Sequence, residues 1–319
     1  MNSQKKTTVH LLGGLGNQLF GLHFGASVSF CLKNGLQLSD SMIPFGSNKS
    51  RTLQVSSFKL NDLDISYRTN NNKFLNSLKN FRLVRKFRWT FYKRIQKPIS
   101  EKEVNHTNFK FKSGQKYTGY FQDWFYPDFL YENGFKLQCN TASDYATELI
   151  NLFSNQEIIC VHLRLGDYLE FPDIFKILPE EYFIESINFI SKGRNFKIWI
   201  FVEDQIQAAK FYPKLIFQAD KIFDRTAQIS DIESFTILAE SKYLIASNST
   251  FSLWAAWLVN KNNGTVVAPK QLGIQGVPDE LADSRWHRCD LLSMEIESST
   301  QNLNSYAEKK AYFLNKFQN

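Results

Sequence analysis

Short β-branched and apolar runs alternate with amphipathic stretches along this chain, most clearly at its start and in its second half. Thr7 to Leu12 reads as a strand that Gly13-Gly14-Leu15-Gly16 interrupts. A helix follows from about Asn17 to Lys33, and Asn34-Gly35 closes it as a C-cap pair. Leu36 to Leu38 supplies the next strand. A strand, a glycine loop, a helix and a second strand, in that order, open a nucleotide-binding half. From about Ser41 to Ser143 the pattern is irregular, with a basic amphipathic stretch and an aromatic cluster, Tyr117 to Tyr126.

The second half is more regular. Glu157 to Leu163, Phe196 to Val202, Lys221 to Phe223, Tyr243 to Ala246 and Thr265 to Ala268 read as strands. The helices between them begin near Pro179 or span Gln205 to Tyr212, Asp231 to Lys242 and about Thr250 to Val259. Proline suits a first helical position, and Ser230 with Glu233 has capping-box spacing. Asn302 to Lys316 reads as a last helix. Strict alternation predicts a parallel sheet and the α/β class. At ~150 residues per domain, 319 residues predict two domains. The expected boundary lies near Ser154 to Glu157, giving domains 1–154 and 155–319.

Composition narrows the class. Hydrophobic residues make up 43% and charged residues 22%, which excludes a mainly disordered chain. No apolar run reaches the ~18–20 residues of a membrane span. Polar Met1 to Thr8 lead into no signal-peptide segment, so a cytoplasmic product is expected, with the inner membrane surface as a peripheral location. Cys31, Cys139, Cys160 and Cys289 fit neither a metal knuckle nor a Cys-x-x-Cys pair, and read as free thiols in a reducing compartment.

The net charge of +7 is local, because Lys73 to Lys97 holds nine basic residues and no acidic one. Phe74, Leu78, Phe81, Val84, Phe87, Phe91 and Ile95 recur there at steps of three or four, which predicts a basic amphipathic helix. Two readings stand: a surface helix whose apolar stripe joins the core, or a helix lying on an anionic membrane. Nucleic acid is not an expected partner, since no further basic and aromatic platform accompanies the helix.

Three segments could carry chemistry. In Gly13-Gly14-Leu15-Gly16-Asn17-Gln18-Leu19, glycines let backbone approach a ligand and the helix start offers free N–H groups to an anion. A nicotinamide fingerprint would use Gly14 and Gly16 with Asp40 as the ribose acid, although Leu19 takes its third glycine position. A plain structural turn is the other reading. In the second segment, Val161 to Tyr168, strand alternation puts Cys160, His162 and Arg164 on one side, at the carboxyl end where open α/β sheets bind ligands. A planar guanidinium there can hold a diphosphate with two hydrogen bonds. An Arg164–Asp167 ion pair and a core His162 are the plain alternatives. The third segment, Ala246 to Trp254, turns from a strand into a helix through Ser, Asn and Thr, which suits an anion site or simple N-capping. Asp62-Leu63-Asp64 has the Asp-x-Asp form of some metal-dependent sugar-nucleotide enzymes, but it lies away from the glycine loop and reads as strand or turn.

Together these segments resemble the α-1,2-fucosyltransferases of glycosyltransferase family 11. Residues 13–20, Gly-Gly-Leu-Gly-Asn-Gln-Leu-Phe, resemble the family's opening motif, and Gly119-Tyr120-Phe121-Gln122 resembles its mid-chain motif. His162 to Asp167 resembles its His-x-Arg-Arg-x-Asp motif, and Ser247 to Trp254 its Asn-Ser-Ser-Phe-Ser-x-Trp segment. Two positions depart: Leu165 replaces the second arginine, and Thr250 replaces the second serine.

The resemblance implies two facing Rossmann-like domains of the GT-B type with the active site in the inter-domain cleft. The first would be the acceptor-side domain and the second would bind the nucleotide sugar. It implies GDP-fucose as donor and co-substrate, no cofactor, no obligatory metal, inversion at the sugar carbon and a galactose-terminated glycan as acceptor. Gly14, Gly16 and Asn17 would line the cleft. His162, Arg164, Asn248, Ser249, Thr250, Phe251 and Ser252 would hold the donor, with Asp231 or Glu233 reading guanine. Arg164 and the 248–252 turn would meet the charge that develops on departing GDP, where one preorganised hydrogen-bond donor is worth about 2.7–4 kcal/mol. Asp167 is the carboxylate nearest Arg164 and one candidate base; pairing with Arg164 would weaken it, and a dissociative path that needs no strong base is the alternative. A related transferase using another nucleotide sugar, a nicotinamide oxidoreductase and a non-catalytic basic module are the competing classes.

Overall fold

The computed structural model describes residues 5–43, 52–61, 63–69, 97–139, 142–274, 279–300 and 303–317. The chain forms two compact units, residues 1–140 with 303–319, and residues 141–302. Both are α/β, as expected.

In the first unit the strands are β1 (Thr7–His10), β2 (Leu36–Ser39), β3 (Phe58–Leu60), β4 (Ile65–Arg68), β5 (Ile99–Ser100), β6 (Lys116–Thr118) and β7 (Leu137–Cys139). Five of them form a parallel sheet in the order β4-β2-β1-β6-β5, while β3 and β7 pair antiparallel. The chain runs outward from β1 to one side and returns on the other, so the order reverses between β1 and β6. The helix Leu15–Leu32 lies on this sheet. A Cβ on Gly25 would come within 2.7 Å of Val9 and Leu36, and one on Gly21 within 2.8 Å of Leu11, so both glycines allow close helix–sheet packing. Lys33, rather than Asn34-Gly35, takes the left-handed C-cap at φ 51°. Strands of two to four residues explain why the 41–143 region shows so little period.

The second unit holds β8 (Ile158–His162), β9 (Lys197–Phe201), β10 (Lys221–Phe223), β11 (Tyr243–Ile245), β12 (Thr265–Pro269), β13 (His287–Cys289) and β14 (Ile296–Glu297). Their order is β10-β9-β8-β11-β12-β13-β14, parallel except for the last strand. Counted along this unit, the parallel strands lie 3-2-1-4-5-6, the order of dinucleotide-binding sheets, with the switch between β8 and β11. Ile159, Val161, Leu163 and Leu165 enter the core beside Tyr182, Phe183 and Tyr212, so the alternate residues Cys160, His162 and Arg164 take the other side.

The units divide earlier than the expected 154–157 boundary. The helix Asp144–Leu152 belongs to the second unit: its cap Ser143 donates its backbone N–H to Glu233 Oε1 at 2.9 Å. The last helix, Leu303–Asn315, belongs to the first unit. Its Phe313 is buried among Phe111, Phe125, Tyr126 and Phe129, and Lys309 pairs with Asp123. Local periodicity predicts a helix but carries no information about which sheet its apolar side covers. Of the basic stretch 73–97, only Lys97 lies within the described residues. No helix among the described residues is long and apolar enough to cross a membrane.

Candidate active site

In the second unit the chain leaves β8 through His162, Leu163 and Arg164, and leaves β11 through Ala246 and Ser247. These strands are parallel neighbours, with Val161 opposite Ile245. His162 Nδ1 lies 2.9 Å from Ser247 Oγ, and its ring stacks on Phe251 at 5.1 Å. Tyr168 donates its hydroxyl to the Asn248 carbonyl at 3.0 Å. The second and third motifs thus meet at the switch point, where a parallel sheet opens a crevice for ligands.

Arg164 is held from two sides. Nη2 donates to Asp167 Oδ1 at 2.6 Å, and Nη1 donates to Glu203 Oε1. Burial alone would disfavour its charge, but the Glu203 and Asp167 carboxylates outweigh that and raise its pKa. The guanidinium also lies 5.7 Å from the centre of the Tyr168 ring, which stacks on Phe175. Leu165, at the family's second arginine position, is buried in the core. Its place in the alternation aims it away from Arg164.

The 247–252 turn is heavily bonded to itself. Ser247 Oγ contacts Ser249 Oγ at 3.1 Å, and the Ser247 N–H donates to Ser252 Oγ at 2.9 Å. Ser249 Oγ accepts from the Ser252 N–H as the N-cap of the helix Thr250–Lys261. Asn248 donates both amide protons, to the Lys176 and Leu272 carbonyls at 2.8 and 2.7 Å, and so ties two loops together. The Ser247, Asn248, Ser249 and Ser252 side chains therefore build the turn. What the helix start offers an anion is the Thr250 and Phe251 N–H groups, with the Thr250 hydroxyl beside them. His162 is buried, and that burial, with Arg164 nearby, lowers its pKa to about 3. It is therefore neutral at physiological pH.

Of the two carboxylates expected near guanine, Glu233 accepts from the Ser143 and Ser230 N–H groups and completes the expected capping box. Partial burial acts to raise its pKa, but hydrogen bonds from Ser143 and Ser230 prevail and lower it to about 2. Asp231, at the start of the same helix, is exposed.

In the first unit the two remaining motifs meet where the order reverses between β1 and β6. Asn17 Oδ1 accepts from Gln122 Nε2 at 2.8 Å. Gly14 is the extended N-cap and Gly16 lies in the first turn, yet the glycine whose backbone demands the residue is Gly13. Its φ is +69°, and a Cβ there would lie 2.6 Å from Asn17 Nδ2. Buried Gln18 donates to the Gly13 and Thr52 carbonyls and accepts from the Gln54 and Val55 N–H groups, which fixes the loop. Phe121, at φ 49°, stacks flat on Phe24 at 3.7 Å. Asp40 follows β2, where a nicotinamide site would want its acid, but the third glycine position is Leu19, fully buried. Asp64 pairs with Lys6 at 3.0 Å near the amino end of β2, opposite the glycine loop, and Asp62 lies outside the described residues. Among the described residues, no group of three or more His, Cys, Asp or Glu could hold a metal ion.

Glu203 was not legible in the sequence. It follows β9 and has no fixed spacing to Arg164; only the neighbouring of β8 and β9 brings the two together.

The model of the family described as Glycosyl transferase family 11 matches residues 1–276. An alpha-1,2-colitosyltransferase of Escherichia coli is 30% identical over 283 residues, which cover 81% of this chain and 89% of that relative. The O-antigen biosynthesis glycosyltransferase WbnK of Escherichia coli is 25% identical over 289 residues, 82% of this chain and 93% of that relative. Among solved structures, the fucosyltransferase NodZ from Bradyrhizobium is similar with a TM-score of 0.43 at 13% identity, covering 80% of this chain and 94% of that chain.

Proposed function

Since this chain belongs to glycosyl transferase family 11, we propose that it moves L-fucose, with inversion, from GDP-fucose to the 2-hydroxyl of a terminal galactoside during surface-polysaccharide or oligosaccharide synthesis. The observation that carries this reading is the convergence of Arg164 and the start of the helix Thr250–Lys261 on the switch point of a 3-2-1-4-5-6 sheet. The α-1,2 linkage in one relative's name and the O-antigen role in the other's support the linkage and the setting.

Transfer breaks the bond between fucose C1 and the diphosphate oxygen, and the electron pair leaves with GDP. The charge on that leaving group is met by the Arg164 N–H donors that Asp167 and Glu203 do not hold, and by the Thr250 and Phe251 amides. No metal is needed for that task. The acceptor 2-hydroxyl forms the new bond to C1 from the opposite face and then loses its proton. Asp167 already binds Arg164, so in this reading its role is to orient the guanidinium. Transfer through an oxocarbenium-like transition state requires no strong base, so the proton leaves the acceptor oxygen late and passes to solvent water. Asp231 is the proposed guanine-reading carboxylate. The basic stretch 73–97 would rest on anionic lipid, and salt-sensitive co-sedimentation with anionic vesicles tests that contact.

A second reading is transfer of a different deoxy sugar from its nucleotide, and the 30% identity to a colitosyltransferase favours it. One experiment separates the two: assay GDP-fucose and other nucleotide sugars against a galactoside panel without added metal, and read the product linkage by NMR. An α-1,2-fucosylated galactoside supports the first reading. Turnover only with another donor supports the second, and a strict metal requirement removes the leaving-group account.

A further inference from the structure

Of Arg164 and Leu165, the pair at the family's two arginine positions, only Arg164 faces the crevice, because Leu165 is buried in the core. An arginine side chain has four rotatable bonds, so its planar fork is useful only if something fixes the plane. Two carboxylates do this here. Asp167 is local, three residues on, whereas Glu203 comes from the neighbouring strand. Glu203 Oε1 accepts from Arg164 Nη1, and Oε2 accepts from the Leu165 backbone N–H at 3.2 Å. One side chain thus holds both the guanidinium and the turn that sends residue 164 outward and residue 165 inward.

Glu203 is itself firmly placed. Before it, the Val202 N–H donates to the Phe223 carbonyl at 3.0 Å; after it, Asp204 caps the helix Gln205–Phe211. Its side chain is 17% exposed, so water competes weakly for its oxygens. Gly166 leaves it room, since a Cβ there would lie 3.1 Å from Glu203 Oε1.

We infer that Glu203 is a positioning residue for Arg164, setting the guanidinium plane so that its three other N–H donors face the diphosphate of a nucleotide sugar. This rests on the donor-binding role given to Arg164 above. Of five guanidinium N–H groups, Glu203 and Asp167 take one from each Nη, and a ligand can share the rest. The pairing also keeps two carboxylates beside one cation, so the free cluster is not cationic. Its value to the ligand lies in aimed hydrogen bonds more than in long-range attraction.

The test is a mutant cycle on the full chain with Glu203→Gln, Arg164→Ala and the double variant. It is read as kcat and donor KM in the transfer assay and as GDP affinity by calorimetry. Glu203→Gln keeps the shape and an acceptor for the Leu165 N–H but removes the charge. A misaimed group of this kind costs about 100-fold, so kcat/KM for the donor should fall by that order while the acceptor KM holds. In the double variant the Glu203 change should add almost nothing to the loss from Arg164→Ala. Equal losses from Glu203→Gln with and without Arg164 would overturn the inference, because a general structural role acts independently of the arginine. A wild-type rate for Glu203→Gln would overturn it too. If Glu203→Gln does not fold, Gly166→Ala displaces the carboxylate with both charges kept and should give a smaller loss that also vanishes without Arg164. A wild-type chain that binds GDP but transfers no sugar would refute the reading above and leave the Glu203 assignment to the affinity cycle. Absence of GDP binding would remove both.

Discussion

His162 Nδ1 and Ser247 Oγ lie 2.9 Å apart although 85 residues separate them in the chain, and this contact joins the carboxyl ends of β8 and β11. The hydrogen bond and the stacking on Phe251 hold the imidazole in the interior, where burial and the nearby Arg164 charge keep it neutral. Arg164, two positions on, carries the positive charge on the same side of the segment.

Arg164→Lys should lose about 10²–10³ in transfer rate, the usual effect of removing one preorganised donor, because a point charge cannot replace the bidentate fork. Thermal unfolding should change little, since the ammonium can still pair with Asp167. A near-wild-type rate would show that the diphosphate is held elsewhere.

Asn248→Ala should act on stability before activity. The side chain is 1% exposed and bonds two backbone carbonyls, at Lys176 and Leu272. Each acceptor left unpaired in the interior costs about 1–3 kcal/mol, so the denaturation midpoint should drop clearly. A variant that unfolds like wild type yet loses donor binding would instead make Asn248 a direct ligand contact.

Gly13→Ala and Gly14→Ala should differ. Gly13 has φ +69°, and an added Cβ would strike Asn17, which Gln122 holds. The left-handed conformation alone costs an alanine about 1–2 kcal/mol, and displacing Asn17 should reduce activity further. Gly14 is extended at φ −84°, a conformation alanine accepts. Parallel thermal melts and transfer assays of the two variants check this, and equal behaviour would count against the assigned backbone demand.

Stability should fall on mild acidification. Burial lowers the pKa of His162 to about 3 and those of His10 and His23 to about 4, from an ordinary 6.5. The unfolded chain therefore binds more protons than the folded one below about pH 6.5, and stability decreases as pH falls through that window. Each histidine contributes up to about 1.4 kcal/mol per pH unit between its two values. Urea denaturation at pH 7, 6 and 5 measures the slope. A flat profile would mean that these rings take up protons as readily in the folded protein as in the unfolded chain.

Phe313→Ala should destabilise the first unit. Its ring fills an aromatic cluster with Phe111, Phe125, Tyr126 and Phe129. Phenylalanine-to-alanine changes in a core cost about 3–5 kcal/mol. Hydrogen exchange should show the loss in residues 1–140 and spare 141–302. The reverse pattern would return the last helix to the second unit.

The amino-acid sequence by itself determined the α/β class, most strands and helices of the second unit, the capping box at Ser230 and the four motifs whose order points to the family. These features are local. Residue alternation, helical period, cap chemistry and glycine spacing act within a few positions, so they can be read along the chain. Tertiary structure alone decided the strand order that makes a crevice between β8 and β11, and the meeting of Asn17 with Gln122. It also decided the return of the last helix to the first unit and the arrival of Glu203 at Arg164. It further sorted residues alike in sequence: Gly13 from Gly14, and the side chains that build the 247–252 turn from the amides left at its helix start. Such relations depend on which strands become neighbours. That choice minimises exposed apolar surface and unpaired polar groups over the whole molecule, and no short stretch of sequence contains that sum.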